Sequence, residues 1–126
     1  MPYLVDSDIM VDLTRGSGAA ADYLDGLAGA WSISTITCLE LLAGARTQRE
    51  TNDLDLVLSG YRAIPPNEDI TRRAYYLMKT YARAHGLQTL DSLIAASALE
   101  EGLTLVSKNR KHFQMIGDLK LEMPNY

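Results

Sequence analysis

The chain has 126 residues, 47% of them hydrophobic and 22% charged, with a formal net charge of −4. That size and balance fit one globular domain, residues 1–126, able to bury a core without staples, and the acidic sum argues against a general nucleic-acid coat protein. A single cysteine, Cys38, excludes an internal disulfide and a thiolate-built zinc centre; with no apolar run near ~18 residues and no basic-then-apolar start, neither a membrane span nor a signal peptide is expected, and a cytoplasmic setting is.

In chain order, Tyr3–Val5 reads as a short buried strand, and Ile9, Leu13 and their neighbours begin a helix after it. Ala19–Leu27 reads as a second helix ended by Gly29, and Trp31–Ser34 as a second strand centred on Ile33. Ser34 or Thr35 caps the next helix, which is expected to run to about Arg46, with Cys38 as a small core residue. Glu50–Leu58 is expected to be helical, with Leu54 and Leu58 at i, i+4 spacing and Gly60 as its stop. Tyr61–Ile64 reads as a third strand, halted by Pro65-Pro66. Asn67 can cap a long helix to His85, with Ile70, Ala74, Leu77, Met78, Tyr81 and Ala82 on one face and Gly86 as its end. Thr89–Glu101 is a further helix stopped by Gly102, Leu103–Val106 a fourth strand, Asn109–Phe113 a helical turn and Leu119–Leu121 an edge strand. Strands alternating with helices predict a three-layer α/β/α sandwich around a mostly parallel sheet of four to five strands. In such sheets ligands bind beyond the carboxyl ends of the strands.

Three acids stand out because each lies in or against an apolar segment: Asp6 after Tyr3-Leu4-Val5, Glu40 within Cys38–Leu42, and Asp91 before Leu93–Ala96. A lone buried carboxylate costs several kcal/mol, so such groups are usually paired or hold a metal. Singly, each has a plain structural reading. Asp91 can cap its helix, Asp6 can cap the first helix in competition with Ser7 and Asp8, and Glu40 can pair with an arginine such as Arg46. A turn of about 100° per residue puts Ile36, Leu39, Glu40 and Ala43 on one face, so Glu40 is expected to point with the buried stripe. Together the acids suggest one cation site, and carboxylates with no histidine or thiolate companion suit Mg²⁺ or Mn²⁺. His85 fits a helix C-terminus. His112 lies with Lys108, Arg110 and Lys111, a basic group that either touches phosphate or is a solvated turn.

Three blocks of the chain resemble the PIN domain, and specifically the VapC-type ribonuclease toxins of toxin–antitoxin pairs. They are Tyr3-Leu4-Val5-Asp6-Ser7-Asp8-Ile9, the helix Ile36–Gly44 around Glu40, and Leu90–Ala98 around Asp91 followed by Gly102–Asn109. The resemblance implies a metal-dependent endoribonuclease in which Asp6, Glu40 and Asp91 are the acidic metal-site residues and the fourth position falls on Asn109. Many members carry Asp there, while Asp8 is an acid where the family often has Asn. Ser7, Asp8 and Ser107 are supporting candidates, and Arg15, Arg46, Lys108 and Arg110 are candidate phosphate contacts. An RNA substrate, a homodimer and a cognate VapB-like antitoxin across the active-site groove are implied as well, with Leu41, Leu42, Leu54 and Leu58 serving either that interface or the core.

Two other classes share part of the pattern. Asp6-Ser7-Asp8 meets the minimum of a haloacid-dehalogenase-like phosphatase, but Met10 stands where Thr or Val is wanted and Glu40 goes unexplained. A phosphoacceptor receiver domain needs an Asp ending its third strand, where this chain reads Ala63-Ile64-Pro65-Pro66. A PIN-like domain that binds RNA or a partner without catalysis is the remaining alternative, and Asn109 is its basis.

Overall fold

The computed structural model describes residues 2–126. Five strands, β1 (Tyr3–Val5), β2 (Trp31–Ser34), β3 (Ala63–Ile64), β4 (Thr104–Val106) and β5 (Leu121–Glu122), form one sheet of order β3-β2-β1-β4-β5. Every pairing in it is parallel. Seven helices connect them: α1 (Ser7–Thr14), α2 (Gly18–Asp25), α3 (Thr35–Ala43), α4 (Gln48–Leu58), α5 (Glu68–His85), α6 (Thr89–Glu101) and α7 (Arg110–Phe113).

The strands alternate their side chains between two cores, as the period-2 geometry requires. Leu4 and Leu105 join Ile70, Ala74, Leu77, Ile94 and Phe113 on the α5–α6 side. Tyr3, Val5, Ile33 and Val106 join Ile9, Met10, Leu24 and Leu58 on the other. Helices therefore cover both faces, the three-layer arrangement expected of a parallel sheet. Among the described residues no helix is long and apolar enough to cross a membrane.

Caps explain most helix limits. Asn67 accepts the Ile70 N–H to start α5, and Gly86 ends it in the left-handed region at φ 71°, where only glycine is unstrained. Ser34, not Thr35, caps α3. Several boundaries differ from the sequence reading. Ser17 starts α2 at Gly18, and Gly26 rather than Gly29 ends it. Gly44 ends α3 before Arg46, and Thr47 opens α4 two residues ahead of Glu50 by accepting the Glu50 N–H. The third strand contracts to Ala63–Ile64, because Tyr61 bonds back to Leu58 in the turn that closes α4.

The positioning consequence lies at the carboxyl edge of the two central strands. β1 and β4 run in register, Val5 opposite Val106. Asp6 therefore emerges beside Ser107, its N–H donating to the Val106 carbonyl at 2.9 Å. α6 packs below this edge and brings its first turn, with Asp91, to the same end.

Candidate active site

A pocket of about 550 Å³ opens at this edge, lined by Asp6, Ser7, Asp8, Glu40, Asp91, Asn109 and His112. Asp6 is 5% exposed and caps α1, its Oδ1 accepting the Ser7 N–H at 2.8 Å. Its Oδ2 accepts the hydroxyl of the fully buried Ser107, also at 2.8 Å. Ser107 Oγ in turn accepts the Asn109 N–H at 3.0 Å, so one hydroxyl ties Asp6 to the β4–α7 loop.

Glu40 is held from a different side. Ser7 Oγ donates to its Oε1 at 2.7 Å, and Thr37 Oγ1 lies 2.9 Å from the same hydroxyl. Since the Ser7 proton goes to Glu40, the buried Thr37 is the donor to Ser7. The expectation that Glu40 follows the buried stripe of α3 is corrected here: Ile36, Thr37 and Leu41 are buried, whereas Leu39, Glu40 and Ala43 are exposed. The face that packs is set by Leu41 reaching the core of α1 and α4, which turns Glu40 into the pocket. Burial thus does not explain Glu40, and no ion pair to Arg46 forms.

Asp91 is not the cap of α6. Gln88 holds that position without a side-chain bond, and Asp91 sits in the first turn. His112 Nδ1 approaches its Oδ2 at 3.0 Å. This places in the site a residue whose sequence reading stayed divided between a phosphate contact and a solvated turn. The available signal was its spacing, one helical turn beyond Asn109 on α7. Asp8 has both oxygens bonded to backbone, Oδ1 to the Ile9 N–H and Oδ2 to the Lys108 N–H, each at 2.8 Å. It braces the start of α1 against the β4–α7 loop while lining the pocket.

The electrostatics follow from this crowding. Burial, and then the negative charge of Asp8, push the Asp6 carboxyl up to about 7. Burial also raises Asp91, opposed by His112, and raises Asp8, opposed by the Lys108 N–H. The pocket is an acidic ring without a compensating Lys or Arg in its lining. Among the described residues no three His, Cys, Asp or Glu side chains already stand at cation-binding separation, so the acids surround the space instead of closing on one point. The donor chemistry nonetheless fits a hard divalent cation, which would offset the burial and the repulsion that hold Asp6 up.

None of the four candidate phosphate contacts lines this pocket. Lys108 Nζ pairs with Asp12 at 2.6 Å and lies over the Tyr126 ring, Arg110 borders a cleft beside Phe113, and Arg15 lines a neighbouring groove. Arg46 is on the exposed turn before α4, its N–H bonded to Glu50. That neighbouring groove, about 800 Å³, runs between α1, α3 and α4 and shares Glu40 and Val11 with the acid pocket. Leu41 and Leu54 line it, Leu58 is buried in the core and Leu42 is half-buried.

Comparison with known proteins places this geometry in context. Residues 3–118 match the family model described as PIN domain. The chain is 39% identical over 120 residues to "Ribonuclease VapC10" of Mycobacterium tuberculosis, covering 93% of this chain and 90% of that one. It is 36% identical over 121 residues to "Ribonuclease VapC19" of the same organism, covering 93% and 96%. Among solved structures it is similar to VapBC2 from Rickettsia felis bound to a DNA fragment from their promoter, with TM-score 0.84, 27% identity and 98% of each chain covered. It is similar also to VapBC-1 from nontypeable Haemophilus influenzae, with TM-score 0.81, 25% identity and 98% of each chain covered.

Proposed function

The chain belongs to the PIN domain family, in its VapC-type branch, and from that premise we propose that it is a divalent-metal-dependent endoribonuclease, the toxin of a toxin–antitoxin pair. The observation that carries the reading is the acidic ring at the carboxyl edge of β1 and β4, its four acids contributed by three separate segments and left without a Lys or Arg in its lining. His112 faces Asp91 alone, whereas a structural ion-pair network would have answered the acids with Lys or Arg.

Asp6 and Asp91 would hold Mg²⁺ or Mn²⁺ directly, and Glu40 would act through water or as the base. Such a cation supplies a water of lowered pKa and a Lewis acid beside the scissile phosphate. The chain's own groups prepare for this. Ser107 and the Ser7 N–H fix both oxygens of Asp6. The Thr37–Ser7 relay fixes Glu40 through one oxygen, and its second oxygen has no protein hydrogen bond among the described residues. Being fully buried and already bonded on both sides, Ser107 serves as a positioning residue and not as a phosphate contact. Asn109 offers a carbonyl oxygen where a fourth carboxylate would add charge.

A VapB-like antitoxin is the proposed partner, and its place is the groove shared with the acid pocket through Glu40, so that an occupying segment would reach the catalytic acids. A homodimer and a cytoplasmic location belong to the same reading. The test is cleavage of a structured RNA pool by the purified chain with Mg²⁺ or Mn²⁺, beside Asp6→Asn and a chelator control. Cleavage lost in both controls is the expected result. Cleavage persisting in both overturns the metal-dependent assignment, and a parent chain that binds RNA without cutting it points to the catalytically silent alternative.

A further inference from the structure

An acidic ring repels a polyanion, and no Lys or Arg lines it, so affinity for RNA must be gathered elsewhere on the surface. Charge in this chain is segregated in a way that points to one place. Residues 70–90 carry Arg72, Arg73, Lys79 and Arg83 and not one acid. With 12 Lys and Arg against 16 Asp and Glu in all, that segment is +4 and the remainder of the chain is −8.

Most of the segment is α5, which packs through Ile70, Ala74 and Leu77 onto the α6 side of the core. Its opposite face presents Arg72, Tyr76, Lys79 and Arg83 at i, i+4, i+7 and i+11, a single stripe about 16 Å long. Tyr76 is 64% exposed, and Tyr75 beside it 69%. Lys79 Nζ lies 5.8 Å from the centre of the Tyr75 ring. Arg72 is engaged with Glu68 and Asp69, but no carboxylate among the described residues pairs with Lys79 or Arg83. The helix dipole accounts for Arg83 near the C-terminus. It does not account for two tyrosines held in solvent on a helix that has a core face to put them on. The stripe also leads to the site: α5 ends at Gly86, and Gln88, Thr89 and Leu90, which follow, form the rim of the acid pocket.

We infer that the outer face of α5 is a single-stranded RNA track, with Lys79 and Arg83 on backbone phosphates and Tyr76 as a stacking platform, feeding the strand over the Gln88–Leu90 rim to the catalytic acids. Cations along a track with an exposed aromatic ring among them are the combination that holds single strands without reading sequence. The inference rests on the ribonuclease reading above. A second copy of the chain fits the face less well. A two-fold contact sets a patch against itself, which here adds the cations of one copy to those of the other on a face whose two acids, Glu68 and Asp69, are already occupied by Arg72.

The experiment is fluorescence anisotropy of a short labelled single-stranded RNA with the full chain in chelator, titrated with salt, alongside Mn²⁺-dependent cleavage of an RNA pool. Lys79→Gln/Arg83→Gln is expected to lower the slope of log K against log salt by about 1.4, two phosphates at roughly 0.7 each for single strands. Tyr76→Ala is expected to weaken binding about 5- to 150-fold and Tyr76→Phe to retain it, the loss being that of one stacked base. All the replaced groups are solvent-exposed, and unchanged thermal melting controls for folding. If the parent cleaves RNA and the variants bind with parental affinity and slope, the α5 track is wrong and the ribonuclease reading stands. If the parent neither binds nor cleaves RNA, both fall. If Tyr76→Ala instead abolishes a sedimenting dimer while RNA binding is unchanged, the face is a contact between copies and the track is overturned.

Discussion

Ser107, Ser7 and Thr37 show how small hydroxyl residues place carboxylates. Each is bonded within the site, and together they hold Asp6 and Glu40 in fixed orientations. Among the described residues Asp91 has a single side-chain partner, His112, which makes that pair the weak point of the arrangement. His112→Ala is expected to weaken Mn²⁺ binding about 10- to 100-fold, the usual cost of removing a group that orients a ligand. His112→Gln, which keeps a donor, should recover part of it. Electron paramagnetic resonance of free Mn²⁺ reads this without any turnover, and unchanged binding in His112→Ala would refute the role. Asn109→Asp tests the fourth position. An added carboxylate in an oxygen-donor pocket raises affinity for a hard cation, so half-maximal cleavage should need about tenfold less Mg²⁺; an unaltered metal requirement would show that position 109 does not face the cation. The acids themselves were legible in sequence because carboxylates beside apolar runs are conspicuous. His112 and Thr37 were not, since their roles exist only once α7 and α3 are folded against the site. For Glu40 the sequence argument reached a residue that lines the pocket by a wrong premise, because a helical wheel ranks faces by apolar content and Leu39 is exposed at 58% beside it.

At the level of elements, strands and long helices followed from periodicity, and errors collected at ends, where one side chain decides. Asn67 was readable as the cap of α5, while Ser17 and Thr47 cap α2 and α4 from within polar stretches that offer several equivalent candidates. Asn67→Ala should lower stability by about 1 kcal/mol, the ordinary value of a lost N-cap, seen as a shift in the urea midpoint at constant m; a change in cleavage at saturating RNA would instead give Asn67 a role in the site. Asp8 is a different kind of connector. It joins the first turn of α1 to the β4–α7 loop across 100 residues of sequence through the Lys108 N–H. That bond could not be read from the sequence, where Asp8 stood out as a competing helix cap and as an acid in place of Asn. Asp8→Ala should therefore free the loop that carries Asn109 and His112. Hydrogen exchange at the Lys108 amide should accelerate and cleavage should fall about tenfold or more, since small misplacements of catalytic groups are costly. Protection at Lys108 equal to the parent would sink the brace.

For the whole molecule, the site is a source of instability that a cation should reverse. Asp6 ordinarily titrates at 3.8 and is pushed up to about 7 in the fold by burial and by the charge of Asp8. Asp8 and Asp91 are shifted in the same direction. Between these values the folded chain keeps a proton that the unfolded chain has released. More protons are bound in the native state, so stability falls as pH rises through the window; the contribution is fully present below about 4 and lost above about 7. Ordinary carboxylate pairs act in the opposite direction and lie at lower pH, so they do not mask the trend. Chelator-treated protein is expected to melt several degrees lower at about pH 8 than at about pH 5.5, and Asp6→Asn to remove much of that slope while abolishing cleavage. Mg²⁺ should stabilise the parent more at the higher pH, because its ligands must be deprotonated to bind, and should do little for Asp6→Asn. Calorimetric melting of both chains, with and without Mg²⁺ at the two pH values, decides this. A metal-free parent whose melting temperature is flat across the window, with an equal Mg²⁺ effect at both ends, would mean that the acidic ring is not under the electrostatic load described. In that event the fold would tolerate its four acids for reasons other than cation binding.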